Sequence, residues 1–239
     1  MLTSLHISSV QKIVQELKLP DRRTNVETVF DHLYDDIVSM RLVPGTKLTE
    51  SEIARRFGIS RQPVRDAFSR LEHLDLLLAR PQKATLVKHF SSAAITTARF
   101  VRASVEINVL RHAAQRCTQE GVDLLGSNIN AQHIAVRDNK FDEFRALDFE
   151  FHRTLCIVGN VEFAFDVIAK EKATVDRLCV LAKPRDARLV QLLDDHISIA
   201  ASVSNNDEEA AVKSGTLHLS RLDSIITTIK NDHKDYFDD

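Results

Sequence analysis

Four side chains in the second half of the chain could share one task. From Phe141 to Ile157, apolar residues recur at Phe144, Leu147, Phe151 and Leu155, the spacing of one helix face. Asp148 and His152 lie along that same stripe, one turn apart. His196 falls in line with Leu192, Leu193, Ile199 and Val203, and His218 with Ala211, Leu222 and Ile225. A carboxylate on an apolar face is costly to bury without partners, and an imidazole also needs its hydrogen bonds met. Three imidazole nitrogens and one carboxylate oxygen around a divalent cation would satisfy all four together. Each residue alone also reads as an ordinary hydrogen-bonded core residue, and spacing does not separate the two readings. His6, His32, His73, His89, His112, His133 and His233 have no comparable placement.

A second constellation lies earlier. Ser60 stands where it can cap a helix that opens with Arg61, Gln62 and Arg65 and runs through Val64, Ala67, Phe68 and Leu71. Arg offers a forked donor to guanine, and Gln can pair both ways with adenine. Arg61 and Arg65 are four apart and share a face. Ser60 and the free N–H groups of the helix start can receive a phosphate. An isolated pair of arginines at this spacing also fits a solvated amphipathic helix.

The surrounding elements favour DNA. Residues 24–40 carry a helical stripe at Val26, Val29, Phe30, Leu33, Ile37 and Met40, with Thr24 or Asn25 as its cap. Val43-Pro44-Gly45 breaks it, and Leu48 follows in an extended stretch. Thr49 caps a short helix holding Ile53, Ala54 and Phe57, with Glu52 placed as in a capping box, and Gly58 ends it. Two short helices joined by a Gly-containing turn form a helix-turn-helix. Leu76–Arg80 and Thr85–Val87, with a turn at Pro81-Gln82-Lys83-Ala84, predict a two-stranded wing packed on the helices.

Charge follows the same division. Arg41 to Lys88 holds ten Lys/Arg against five Asp/Glu, a formal +5, while the remainder holds 22 against 29, near −7. Only part of the chain is suited to a polyanion. In the 239 residues there are few breakers, six Gly and five Pro, which predicts long helices. No apolar run approaches a membrane span, and Met1 to Pro20 lacks the layout of a signal peptide. Cys117, Cys156 and Cys179 are odd in number and far apart, and read as reduced core residues. The expected location is the cytoplasm, with no membrane partner.

The stretch Leu42-Val43-Pro44-Gly45, with Leu48-Thr49-Glu50, Ile53-Ala54 and Ile59-Ser60-Arg61-Gln62-Pro63-Val64-Arg65-Asp66-Ala67, resembles the winged helix of the GntR family. The resemblance implies operator contacts from Ser60, Arg61, Gln62 and Arg65, and a wing tip at Lys83 and Ala84 near the minor groove. Ala84 stands where the family usually has Gly, which bears on how closely the backbone can approach DNA.

From Ser91-Ser92 to about Lys230 the apolar spacing is helical nearly throughout. Breaks at Glu120-Gly121, Asp138-Asn139, Gly159-Asn160, Lys183-Pro184 and Asn205-Asn206 delimit six helices, an antiparallel bundle. Arg102 with Glu106, then Asp148-x-x-Phe151-His152 and Gly159-Asn160, Asp195-His196, Ala211 and His218-Leu219, are similar to the FCD ligand-binding domain of the FadR subfamily. That resemblance implies that Asp148, His152, His196 and His218 ligate a metal, zinc first, with nickel or manganese also admitted. It implies a small carboxylate or sugar-acid effector beside or through the metal, with Arg102 and Asn160 as contacts. Arg102 reads equally as a forked clamp on that carboxylate or as an intrahelical partner of Glu106.

The expectation is thus a mainly α chain: an arm at 1–23, a winged helix-turn-helix of three helices and a two-stranded wing at 24–89, and an all-helical bundle at 92–232. It predicts a homodimeric, ligand-responsive repressor on a palindromic operator, with no catalytic residue. Three alternatives remain: a sensor whose effector is the metal itself, a metalloenzyme with an open coordination position but no assignable general base, and a winged helix serving protein contacts alone.

Overall fold

The computed structural model describes residues 24–80, 83–182 and 185–238. The expected arm at 1–23, the Pro81-Gln82 half of the wing turn and the Lys183-Pro184 break lie outside these residues. Thr24 caps α1 (Asn25–Val38): its hydroxyl accepts the Glu27 N–H at 3.2 Å, and the Glu27 carboxylate accepts the Thr24 N–H at 2.7 Å. This reciprocal pair satisfies two of the donors that a helix start leaves free. Val29, Leu33 and Ile37, on one face of α1, are fully buried. β1 (Lys47–Leu48) leads to α2 (Glu50–Phe57), capped by Thr49. Gly58 closes α2 at φ 66°, a left-handed conformation that glycine adopts without a Cβ penalty. α3 (Arg61–His73) begins directly after Ser60 and buries Val64, Ala67, Phe68 and Leu71.

β2 (Leu77–Leu78) and β3 (Thr85–Val87) form the wing, but the sheet has three strands, in the order β1-β3-β2. Lys47 and Leu48 pair antiparallel with Leu86 and Thr85. The expected two-stranded wing is the β2–β3 hairpin, and β1 joins it as a strand too short to show alternation in the sequence. Pairing with β1 gives the hairpin the third strand that an isolated ribbon lacks.

Seven helices follow among the described residues: α4 (Ser92–Arg116), α5 (Gln119–Arg137), α6 (Phe141–Val158), α7 (Phe165–Leu181), α8 (Arg185–Ser204), α9 (Glu208–Ser220) and α10 (Asp223–Asp232). One expected boundary is shifted, and one further boundary raises the expected six to seven. Gly121 lies inside the first turn of α5, whose cap is Thr118, so the first break falls earlier than Glu120-Gly121. The α9–α10 break falls at Arg221-Leu222, with neither Gly nor Pro to mark it. α9 lies close against α4 because residue 215 is glycine; a Cβ there would stand 2.1 Å from Leu110 Cδ1. No described helix is long and apolar enough to cross a membrane. All three cysteines are free thiols.

α7 joins the two halves. Its Ala173 is buried in the core cluster of the winged helix, beside residues such as Val29, Leu33 and Leu71. Arg177 Nη2 donates to the Lys88 carbonyl at 2.8 Å, and its guanidinium lies 4.5 Å from the centre of the Phe90 ring. Phe90, between the wing and α4, also pairs with the C-terminal segment: its N–H donates to the Tyr236 carbonyl at 2.8 Å and its carbonyl accepts the Asp238 N–H at 3.0 Å.

Candidate metal centre and nucleic-acid interface

Asp148 and His152 project from α6, His196 from α8 and His218 from α9. All four are buried, and one ligand atom from each lies within 4.8 Å of the others. The groups behind them set which imidazole nitrogen carries the proton. Asn128 Nδ2 donates to the Leu147 carbonyl at 3.1 Å, and Gln132 Nε2 donates to Asn128 Oδ1 at 2.6 Å. Gln132 Oε1 is therefore left as an acceptor, 2.8 Å from His196 Nδ1. A proton on Nδ1 leaves Nε2 of His196 as a lone pair. That lone pair faces Asp148 Oδ1 at 3.3 Å, acceptor against acceptor, and Nε2 has no hydrogen-bond partner. His152 repeats the arrangement: Nδ1 lies 2.7 Å from Glu106 Oε2, and Nε2, 4.0 Å from Asp148 Oδ1, is buried without a hydrogen bond. His218 Nδ1 is 3.7 Å from Asp195 Oδ2, too far for a hydrogen bond.

The electrostatics favour a cation. Burial, helped by the neighbouring imidazoles, pushes His196 down to about 4, so its ring is neutral at pH 7. Burial lowers His218 in the same direction. Burial would push the Asp148 carboxyl up, but the Lys172 ammonium and the imidazoles hold it well below the usual carboxylate range. Neutral imidazoles and an ionised carboxylate are the protonation states a divalent metal requires. The donor set suits zinc, and the Glu106 and Gln132 contacts are the kind of second-layer support that orients metal-bound histidines. Lys172, on α7, bonds Asp148 Oδ2 and lies 2.7 Å from Asp176. It engages the carboxylate oxygen that points away from the imidazoles.

Beside this cluster is a cleft, partly open to solvent. Its lining includes Asp148 and His218, the cations Arg102, Arg145, Lys172 and Arg188, and a largely apolar wall. Arg102 reaches it while its Nε bonds Glu106 at 2.6 Å, both side chains buried. The Nε atoms of Arg145 and Arg188 are buried without a hydrogen-bond partner. Asn160 is not part of the lining. It is exposed just beyond α6 at φ 54°, where Asn tolerates a left-handed backbone, so the Gly159-Asn160 pair marks the end of α6.

On the winged helix, Ser60, Arg61, Gln62, Arg65 and Lys83 are exposed, and Ala84 is half-buried. The Ser60 hydroxyl makes no capping bond, which leaves it and the start of α3 free for an anion. Arg65 forks onto Glu50, Nε to Oε1 at 3.0 Å and Nη2 to Oε2 at 2.9 Å. Gln62 donates to Asp66 at 2.8 Å. Exposed ion pairs of this kind are weakly held in water and readily exchanged.

Two family models match this chain: the gntR family of bacterial regulatory proteins over residues 25–87 and the FCD domain over residues 98–221. It is 33% identical over 211 residues to the HTH-type transcriptional repressor RspR of Escherichia coli, covering 88% of this chain and 92% of that protein. The chain belongs to the GntR family. It is also 26% identical over 227 residues to the HTH-type transcriptional repressor NanR of Cronobacter sakazakii, covering 84% of this chain and 85% of that one. The fold matches the solved structure of E. coli McbR/YncC with a TM-score of 0.76 at 16% identity, over 86% of this chain and 98% of that chain. This GntR member is a DNA-binding transcription regulator with an FCD domain, and its family comprises regulators, not enzymes.

The structure brings together all four residues singled out for metal and keeps the DNA-facing set at the surface. Sequence reasoning missed Lys172, Asp176, Asn128 and Gln132, which complete the site. Gln132 and Asn128 are four apart on α5, a spacing visible in the chain. Nothing in the sequence says that this face of α5 meets α8.

Proposed function

We propose that this protein is a ligand-responsive repressor, a cytoplasmic homodimer on a palindromic operator. A small organic acid bound in the FCD cleft, beside a divalent cation held by Asp148, His152, His196 and His218, alters its operator affinity. One observation carries the metal. Imidazole nitrogens with no hydrogen-bond partner and a carboxylate oxygen converge in a buried site, and polar contacts behind two of the rings turn their lone pairs inward. The cation, when bound, supplies the positive charge those lone pairs lack. Zinc fits the donor set best, and nickel or manganese would also be accepted. The adjoining cleft, with its arginines, favours an organic effector over the metal as signal, since a pure metal sensor has no need of it.

Arg61, Gln62 and Arg65 read base edges, Ser60 and the start of α3 take a phosphate, and Lys83 with Ala84 approaches the minor groove. The effector acts by unequal affinity for the DNA-competent and DNA-incompetent states. A contact between the halves offers a route for that coupling. Arg145, which lines the cleft, also bonds Asp35 on α1 of the winged helix. An acid that captures Arg145 weakens this bridge, and an acid that captures Arg102 does so at the expense of its Glu106 pair.

The test is a thermal-shift screen of organic acids on the full chain, with and without a chelator. A ligand that binds only the native state raises the midpoint by mass action. The reading expects a rise for at least one acid, diminished by chelation, and release of operator DNA by that same acid. An acid that raises the midpoint equally after complete metal removal separates cleft from cation and defeats the proposed link.

A further inference from the structure

The cleft's lining is unusual in what it lacks. Among its described residues there is no Ser, Thr, Asn, Gln or Tyr, so no hydroxyl or amide is available to meet a ligand's hydroxyl groups. Beside the His218 imidazole and the Cys179 thiol its polar members are charged, and most are already engaged: Arg102 with Glu106, Lys172 with Asp148 and Asp176, Arg145 Nη2 with Asp35, Arg188 Nη2 with Cys179. Two buried donors make no hydrogen bond, the Nε groups of Arg145 and Arg188, the former 4.0 Å from Asp142 Oδ1. The rest is hydrocarbon, including Phe141 and Phe144 of α6, Leu189 and Leu192 of α8, and Leu222.

From this the geometry points to an effector with an apolar body and a single acidic end, an aliphatic or aryl carboxylate, and not a polyhydroxylated sugar acid. The inference rests on reading the cleft as the effector site and specifies its ligand class. The physical reason is asymmetric. A carboxylate matches guanidinium N–H groups by charged hydrogen bonds. Each hydroxyl of a sugar acid carried against Phe141 or Leu192 would lose its hydrogen bonds to water and find none in return. A methylene in the same position leaves water for an apolar surface and gains from the transfer. The wall therefore selects against hydroxyls and rewards chain length.

Isothermal titration of the full-length protein with butyrate, hexanoate, octanoate and gluconate tests this, hexanoate and gluconate having equal carbon chains. Expected is an affinity that rises about fourfold per methylene until the cleft is filled, the gain from burying one such group, with no measurable binding of gluconate. Leu192→Asn should weaken hexanoate at least tenfold with an unchanged circular-dichroism spectrum. Phe141→Ser makes the same measurement should Leu192→Asn not fold. Gluconate binding more tightly than hexanoate, or an affinity indifferent to chain length, overturns the inference but leaves the cleft as an effector site. Hexanoate binding undiminished in a folded wall variant places that binding elsewhere and also overturns it. If none of the acids binds, both the inference and the effector reading fail.

Discussion

Three amide and carbonyl groups in series favour a proton on Nδ1 of His196. Leu147 accepts from Asn128, Asn128 from Gln132, and Gln132 from His196. Breaking the last link should let the imidazole change tautomer or rotate. Gln132→Leu is therefore expected to weaken metal binding by about 10- to 100-fold, the usual effect of removing such a partner. Gln132→Glu, which still accepts the Nδ1 proton, should restore most of it. Competition against a calibrated chelator reads both, and an unchanged affinity in Gln132→Leu would show that the tautomer is not held this way. The same residue sets a pH dependence in the metal-free protein. Burial lowers His196 from 6.5 to about 4 in the folded chain, so between these values the unfolded chain binds more protons. Stability then rises with pH across the window and is lost as pH falls from about 6.5 towards 4, by up to about 3 kcal/mol. Denaturant midpoints of chelator-treated protein from pH 7 to pH 5 should follow that fall, with a smaller slope in His196→Gln.

At the scale of an element, α3 exposes its first-turn side chains while Val64, Ala67, Phe68 and Leu71 hold it in the core. On the proposed reading, binding and folding use opposite faces of one helix, so its outer face can be changed without unfolding the domain. Arg65 is held by Glu50 until a stronger acceptor arrives; the pair orients the guanidinium without burying it. Arg61→Ala and Arg65→Ala are each expected to lower the preference for operator over scrambled DNA by about tenfold or more. Their melting temperature and effector binding should stay unchanged. A mobility-shift titration with both DNAs reads the ratio, and undiminished selectivity in both variants would remove these residues from base recognition.

Across the whole molecule, the two halves meet through α7 and through charged contacts from α1. Ala173 enters the winged-helix core, Arg177 bonds the Lys88 carbonyl, and Arg145 and Arg41 converge on Asp35. On the proposed reading, these contacts carry a shift of the bundle to the winged helix. Because coupling between sites is reciprocal, loosening one contact must alter both affinities. Asp35→Asn should free Arg145 for the effector, so the acid binds more tightly while its power to release DNA falls. Effector titrations in the presence and absence of operator measure this; an unaltered ratio of the two affinities would exclude Asp35–Arg145 from the coupling.

Much of the architecture is written locally. Caps at Thr24 and Thr49, the left-handed Gly58 and the helical stripes specify the winged helix, because each acts over a few residues. The same periodicity set Asp148 and His152 on an inward face. The boundary at Arg221-Leu222 carried no such signal, since packing and not a breaker residue ends α9 there. Tertiary structure alone decided that Asp148 and His152, His196 and His218, carried on three separate helices, converge, and that Lys172 and Gln132 stand behind them. It also placed Asn160 at the surface, outside the lining of the cleft. Spacing along a chain reports which side of its own helix a residue occupies; which helix that side meets depends on contacts made across the bundle.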